Sequence, residues 1–481
     1  MSTRERISNV DTAWLRMDRP GNLMQIVGVM LFEGELDFER LRAAVAGGLL
    51  GYRRFRQAAV VDGAGYVWQD DPDFDLDHHL HRELLPGQAG KKELQRFVAD
   101  LAATPLNPSR PLWEMHLVDT SLGGPALIMR FHHSIADGIA LVGVMMSMMD
   151  DAPHAAGRRR VPVVTAEAHG EDPLWDLVLR PVTDAMLASV RISTSLWVKY
   201  VELLTHPGKV TEYARLGAGF ASELARLATM PDDSATRFKG KPGVAKCVAW
   251  SEPIPLPAVK AVGKVLGCSV NDMLLSAAAG ALRAYLVERG DPVDDVEIRA
   301  LVPVNMRRPE DFAELGNRFG LVALELPVGI ENPLARLYAT RERMERLKGS
   351  LQAVVTLSIL GAVGMAPKFA QEQVLDLLAS KATAVMTNVP GPTRALYLAG
   401  ARLREPLFWV PQSGDIGMGV SILSYDGRVQ FGLITDKQMV PDPERIVDRF
   451  AGEFDKLLML VLMEPWDRLA DPAAVEAALA G

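Results

Sequence analysis

Cysteine is almost absent: Cys247 and Cys268 are the only two in 481 residues. Neither a disulfide framework nor a thiolate metal site can be built from that pair, so a reducing compartment is expected. Positive charge is not in excess either. The formal net charge is −8, which argues against a nucleic-acid partner, because such a partner would require a basic face. No apolar stretch follows Met1-Ser2-Thr3-Arg4-Glu5-Arg6, so no signal peptide is expected. Long apolar runs are scarce. The one uncharged run that calls for a test, residues 349–367 (GSLQAVVTLSILGAVGMAP), is marginal in length and carries Gln, Ser and Thr. It is expected as a buried or interfacial helix, not a membrane span. Familiar cofactor and nucleophile motifs are missing as well. Ser134 lies outside a Gly-x-Ser-x-Gly elbow, Gly417-x-Gly419 lacks the third glycine of a dinucleotide loop, and there is no P-loop. No nucleotide cofactor is expected.

What is present is a globular composition, 48% apolar and 23% charged, in a chain too long for one ordinary core. Two domains of roughly 200 residues and a connection are the natural division. Residues 1–150 mix strands and helices. Gln25 to Phe32 reads as a strand, Asp37 to Leu50 and Lys91 to Ala103 as helices, and Pro111 to Val118 as a strand that returns through the turn Ser121 to Pro125. Residues 151–240 are read as a loop and then a set of helices joining two halves. From 241 to 481 the mixed pattern resumes. Strands are expected at 244–250, 296–304, 321–328, 417–423 and 429–435. Helices are expected at 269–288, with Ser269 as N-cap and Asp272 closing a capping box, and at 334–347.

The stretch with chemistry is His132-His133-Ser134-Ile135-Ala136-Asp137-Gly138, set between the apolar runs Ala126 to Phe131 and Ile139 to Met146. A histidine held at the junction of two buried elements suits a general base near neutral pH. The competing reading, two surface loop histidines, conflicts with those flanks. Adjacent histidines on a strand point to opposite faces and cannot readily chelate one ion, so no metal centre is expected. Asp137 suits either capping of the following helix or pairing with a buried arginine, and Gly138 allows backbone curvature or close approach of a ligand. The histidine-rich stretch Asp77-His78-His79-Leu80-His81 lies among aspartates and reads as a solvated face. Asn271-Asp272 at a helix start and the rigid turn Asn388-Val389-Pro390-Gly391-Pro392 each have ordinary structural uses.

Together these residues resemble the wax ester synthase/acyl-CoA:diacylglycerol acyltransferase family of bacteria. The resemblance rests on the His-His-x-x-x-Asp-Gly stretch, preceded by Pro111-Leu112-Trp113-Glu114. Asn271-Asp272, Pro303-Val304-Asn305-Met306-Arg307, Gly316-Asn317-Arg318-Phe319-Gly320, residues 388–392, and Ser424-Tyr425-Asp426-Gly427 with Phe431-Gly432 and Asp436 follow in the family's order. It implies an α/β protein of two chloramphenicol-acetyltransferase-like domains, each a mixed sheet flanked by helices, with a tunnel between them. It implies O-acyl transfer from acyl-CoA, a substrate and not a cofactor, to diacylglycerol or a long-chain alcohol. His133 would be the general base, with His132 and Asp137 in support. Asn271 would lie near the reaction centre, and Arg56 would be the partner of Asp137. Hydrophobic substrates imply a cytoplasmic protein that meets a membrane or lipid droplet peripherally.

Overall fold

Alternating and continuous apolar runs punctuated by turn residues set the strands, and capped 3.6-residue periodicity sets the helices. The computed structural model describes residues 4–63, 65–153, 229–307, 315–348, 350–365 and 378–463, with a few helical residues at 222–227 and at 374. The helices expected between 174 and 230 therefore lie almost wholly outside the described residues.

In chain order the first strands and helices are β1 (Glu5–Arg6), α1 (Asn9–Met17), β2 (Gln25–Glu33), α2 (Phe38–Gly47), β3 (Gln57–Asp62), β4 (Gly65–Asp70), β5 (Leu80–Leu84), α3 (Lys91–Ala102), β6 (Trp113–Asp119), β7 (Ala126–His132) and α4 (Gly138–Met148). The later half contributes β8 (Lys246–Trp250), β9 (Ile254–Pro255), α5 (Leu256–Leu266), α6 (Val270–Glu288), β10 (Ile298–Asn305), β11 (Phe319–Leu326), α7 (Pro333–Lys348) and α8 (Gln352–Met365). It ends with β12 (Ala384–Pro390), β13 (Tyr397–Leu398), β14 (Ala401–Trp409), β15 (Met418–Tyr425), β16 (Arg428–Asp436) and α9 (Glu444–Met463).

Two mixed sheets carry the core. One runs β13-β14-β2-β7-β6-β5 and the other β11-β10-β12-β15-β16-β8, with β9 also paired to β16; β1, β4 and β3 form a small third sheet. The hairpin β15–β16 turns through Asp426 and Gly427, both at positive φ (46° and 74°), which suits the twist of a tight hairpin. Ser269 and Asp272 form the expected capping box on α6. That helix packs with α9 over one face of the second sheet.

The strand β14 is the departure from a simple two-part chain. It falls in the half expected to form the second domain, yet it pairs antiparallel with β2 and completes the first sheet. Its Leu407 and Trp409 pack with Val248, Trp250 and Ile434 of the second sheet. The two halves are thereby joined through shared core.

Within the uncharged run at 349–367, Gln352–Met365 form α8, which lies against β11 and α1, as expected of a buried or interfacial helix. Gln352 and Thr356 fasten it by accepting hydrogen bonds from the main chain of Ala323 (2.8 Å) and Leu321 (2.8 Å). These are outward-facing groups of the edge strand, so α8 shields an edge that would otherwise stand open. The approach requires Gly320, because a Cβ there would lie 1.9 Å from the Ala353 carbonyl oxygen. Among the described residues no single helix is long and apolar enough to cross a membrane.

Candidate active site

The turn between β7 and α4 carries the histidines. His132 ends β7 opposite Gln25, and the next residue bonds through its main-chain N–H to the Met24 carbonyl (2.7 Å). Both rings are buried, His132 at 2% and His133 at 3% exposure. The N–H of Ser134 donates to Nδ1 of His132 (3.1 Å), so that nitrogen carries no proton. That leaves the proton to Nε2, which lies 3.3 Å from the Asp18 carboxylate without a hydrogen bond of good geometry. His132 is thus held in one tautomer by its own turn.

His133 sits among aromatic rings. Its imidazole stacks on Trp14 of α1 (4.2 Å between centroids, 16° between planes) and meets Phe319 of β11 at 5.4 Å. Asn317 donates its side-chain amide both to the His133 carbonyl (2.7 Å) and to the buried carboxyl of Asp11 (2.7 Å). Burial lowers the His133 pKa to about 4, against the opposing pull of the Asp137 charge and its own main-chain carbonyl. Nδ1 nonetheless makes no hydrogen bond of good geometry. The same burial raises the Asp11 pKa, opposed by the bonds from Asn317 and Ser8. The result is a neutral imidazole, clamped on its flat faces and at its backbone.

Asp137 takes up both of the roles open to it. One oxygen accepts from the N–H of Ala140 (2.9 Å) and caps α4. The other accepts from the Arg318 N–H (3.0 Å) and from the guanidinium of Arg307 (2.8 Å), whose side chain is fully enclosed. Arg307 also donates to the Gly316 carbonyl. The arginine partner is therefore Arg307 and not Arg56. Arg56 lies exposed at the end of a short helical turn, residues 53–56, and the neighbouring Phe55 fills the core instead. Position in the chain misdirects here, because Arg307 is 170 residues from Asp137 and arrives on the end of β10.

Gly138 is the first residue of α4 with no positive φ. A Cβ there would meet Phe408 at 3.6 Å and Val410 at 3.8 Å, ordinary contact distances. Backbone curvature does not demand glycine at this point. Asn271 lies on the first turn of α6, where its Oδ1 accepts from Asn388 (3.1 Å). The two sequence motifs at 271–272 and 388–392 are thus brought together. Among the described residues, no hydrogen bond joins the Asn271 side chain to His132 or His133; its partner is Asn388. A pocket between the two sheets, lined by Asn22, Gln25, Lys246, Trp409 and Gln412, lies beside the start of β2 and does not include His133.

The stretch 77–81 is not the solvated face that its aspartates suggest. His78 is exposed, but His79 is buried, stacked between Phe74 and Trp113, with Nδ1 2.8 Å from the Trp113 carbonyl. Sequence reasoning also passed over Trp14, Asp11 and Asp18. A signal for α1 existed in Ser8, which caps through a bond from the Asp11 N–H (3.0 Å), ahead of apolar residues at helical spacing. Asn317, Phe319 and Arg307 lay within the quoted motifs, but nothing local assigned them to the histidine turn.

The chain is similar to known proteins in both sequence and fold. Residues 7–274 match the wax ester synthase/diacylglycerol acyltransferase catalytic domain, and residues 315–458 match the WS/DGAT C-terminal domain. The chain is 27% identical over 380 residues to the probable diacylglycerol O-acyltransferase tgs1 of Mycobacterium tuberculosis, covering 78% of this chain and 77% of that one. It is 28% identical over 407 residues to the probable diacylglycerol O-acyltransferase tgs2 of the same organism, covering 82% and 84%. In fold it resembles the wax ester synthase/diacylglycerol acyltransferase of Marinobacter aquaeolei VT8, with TM-score 0.64, 20% identity and coverage of 95% and 99%. The first condensation domain of the calcium-dependent antibiotic synthetase shares the architecture, with TM-score 0.58, 14% identity and coverage of 97% and 99%. The chain belongs to the wax ester synthase/diacylglycerol acyltransferase family, and it is an acyltransferase.

Proposed function

We propose that this acyltransferase moves a long-chain acyl group from acyl-CoA to the hydroxyl of diacylglycerol, and also of long-chain alcohols, by direct transfer with His133 as general base. The observation that carries the proposal is the neutral, clamped imidazole of His133 at the turn between β7 and α4. The names of the curated relatives support the acceptor. His133 takes the proton of the acceptor hydroxyl, and the oxygen bonds to the thioester carbonyl carbon. The C–S bond then breaks, and the proton passes from the imidazolium to the departing thiolate. Atoms and charges balance without a cofactor or a covalent enzyme intermediate. His132 and Asp137 hold the turn. Asn271, oriented by Asn388, polarises the thioester carbonyl as the oxyanion develops. Both substrates are hydrophobic, so the reaction takes place in peripheral contact with a membrane or lipid droplet on the cytoplasmic side.

The test is release of CoA thiol from palmitoyl-CoA, with diacylglycerol and hexadecanol as separate acceptors and products identified by chromatography. His133→Ala, shown by circular dichroism to be folded, is expected to lower the rate by about 10²–10⁴-fold. A rate near wild type rejects the base. Stoichiometric acyl-CoA binding with no thiol release from the wild-type protein rejects the enzyme reading in favour of a lipid-binding one.

A further inference from the structure

The parallel pairing of β5 with β6 places His81 directly beside His116, with ring centroids 4.9 Å apart. Glu114 lies two residues before His116 on the same face of β6. One ligand atom from each of His81, Glu114 and His116 lies within 4.8 Å of the others. Nε2 of His116 is already 3.5 Å from the Glu114 carboxylate. Ligands at zinc bond lengths in a tetrahedron are separated by about 3.3 Å, so this edge of a site is nearly formed.

Two further observations point to an ion. Nε2 of His116 is enclosed in a residue 5% exposed and makes no hydrogen bond of good geometry, the Glu114 carboxylate being its nearest polar neighbour at 3.5 Å. Its other nitrogen, Nδ1, lies 2.9 Å from the carboxylate of Glu83. A carboxylate on the far nitrogen of a metal-binding histidine fixes its tautomer and raises its basicity. Here it directs the lone pair of Nε2 toward Glu114 and His81.

Charge favours a cation too. Glu83 and Glu114 bring two negative charges, and the guanidinium of Arg130, bonded to Glu114, offsets one. That guanidinium is also anchored to the main-chain carbonyls of Leu101 (2.9 Å) and Thr104 (2.6 Å). It therefore orients the carboxylate without neutralising the cluster.

We propose that His81, Glu114 and His116 bind a divalent transition-metal ion of the zinc class, with Glu83 orienting His116 and water completing the coordination. Two imidazoles and one carboxylate are a donor set suited to zinc and cobalt, not to magnesium or calcium. The site joins β5 to β6 on the sheet face covered by α3. It is separate from the His133 turn and independent of the proposed reaction.

The experiment is titration of the tag-free, chelator-stripped full chain with Zn²⁺ by calorimetry and with Co²⁺ by visible absorption. Wild type is expected to bind one ion per chain with micromolar affinity or tighter, to give the absorption of nitrogen-ligated Co²⁺, and to melt at a higher temperature with Zn²⁺. His81→Ala, at a half-exposed position, is expected to abolish the Co²⁺ bands, and Glu83→Gln to weaken binding by about 10–100-fold. The same titration with Mg²⁺ is expected to show nothing. Absence of Zn²⁺ and Co²⁺ binding to the wild type overturns the proposal. So does binding to His81→Ala that equals wild type, whatever the folding of a His116→Ala variant.

Discussion

At the scale of single residues, His133 shows how burial sets chemistry. Its pKa falls to about 4 because the imidazolium would lose its hydration between Trp14 and Phe319. In the unfolded chain the same group titrates near 6.5. Above that pH both states hold neutral imidazole and the group contributes no pH dependence. Between about 6.5 and about 4 only the unfolded state takes up the proton, so stability falls as the medium is acidified. The total for this group is on the order of 3 kcal/mol. His133→Gln is therefore expected to lose less stability than wild type between pH 6.5 and 4 in urea melts. Parallel pH profiles for the two proteins would contradict the burial argument. His132, by contrast, is defined by tautomer: its turn makes Nδ1 an acceptor and leaves the proton to Nε2, 3.3 Å from Asp18.

At the scale of elements, the histidine turn is fastened from the other half of the chain. Asp137 caps α4 while Arg307, at the end of β10, and Arg318, just before β11, reach the same carboxylate. Removing one member of a buried ion pair leaves the other charged and unsolvated, at a cost of about 3–5 kcal/mol. Arg307→Ala is expected to lower the melting temperature accordingly, whereas Arg56→Ala leaves it within a degree or so. Equal effects of the two substitutions in thermal melts would refute the pairing. Most elements here were legible beforehand. The strands ending at His132 and flanking Asp426-Gly427, and the capped helix α6, follow from periodicity, caps and turn residues. The helix α1, which brings Trp14 to His133, has cap and spacing signals but is short. Its partner α8 was readable as a buried or interfacial helix, but its docking on α1 and the need for glycine at 320 are apparent only once the edge strand β11 is in place.

At the scale of the whole molecule, β14 makes the two sheets interdependent. It is a strand of the first sheet supplied by the second half of the chain, and Trp409, 1% exposed, packs against Val248, Trp250 and Ile434 across the junction. Truncating a buried tryptophan costs about 3–5 kcal/mol in transfer and cavity terms. Trp409→Ala is expected to lower the midpoint of a single cooperative transition in which both sheets melt together. Two resolved calorimetric transitions in the wild-type protein would show instead that the sheets fold independently.

The sequence by itself determined the local structure and the identity of the reactive turn. Capping boxes, hairpin turns and a histidine doublet between apolar runs depend on neighbours a few residues apart, and such information is carried in order along the chain. Only the tertiary structure decided which arginine holds Asp137, which rings enclose His133, and that His81 meets Glu114 and His116. Each of these rests on strands or helices distant in sequence, and their register is set by the burial of whole faces, not by any local pattern. The two kinds of information meet at His133. Its position was readable, but its neutral state follows from a pocket whose walls, Trp14, Asn317 and Phe319, come from segments about 300 residues apart in the chain.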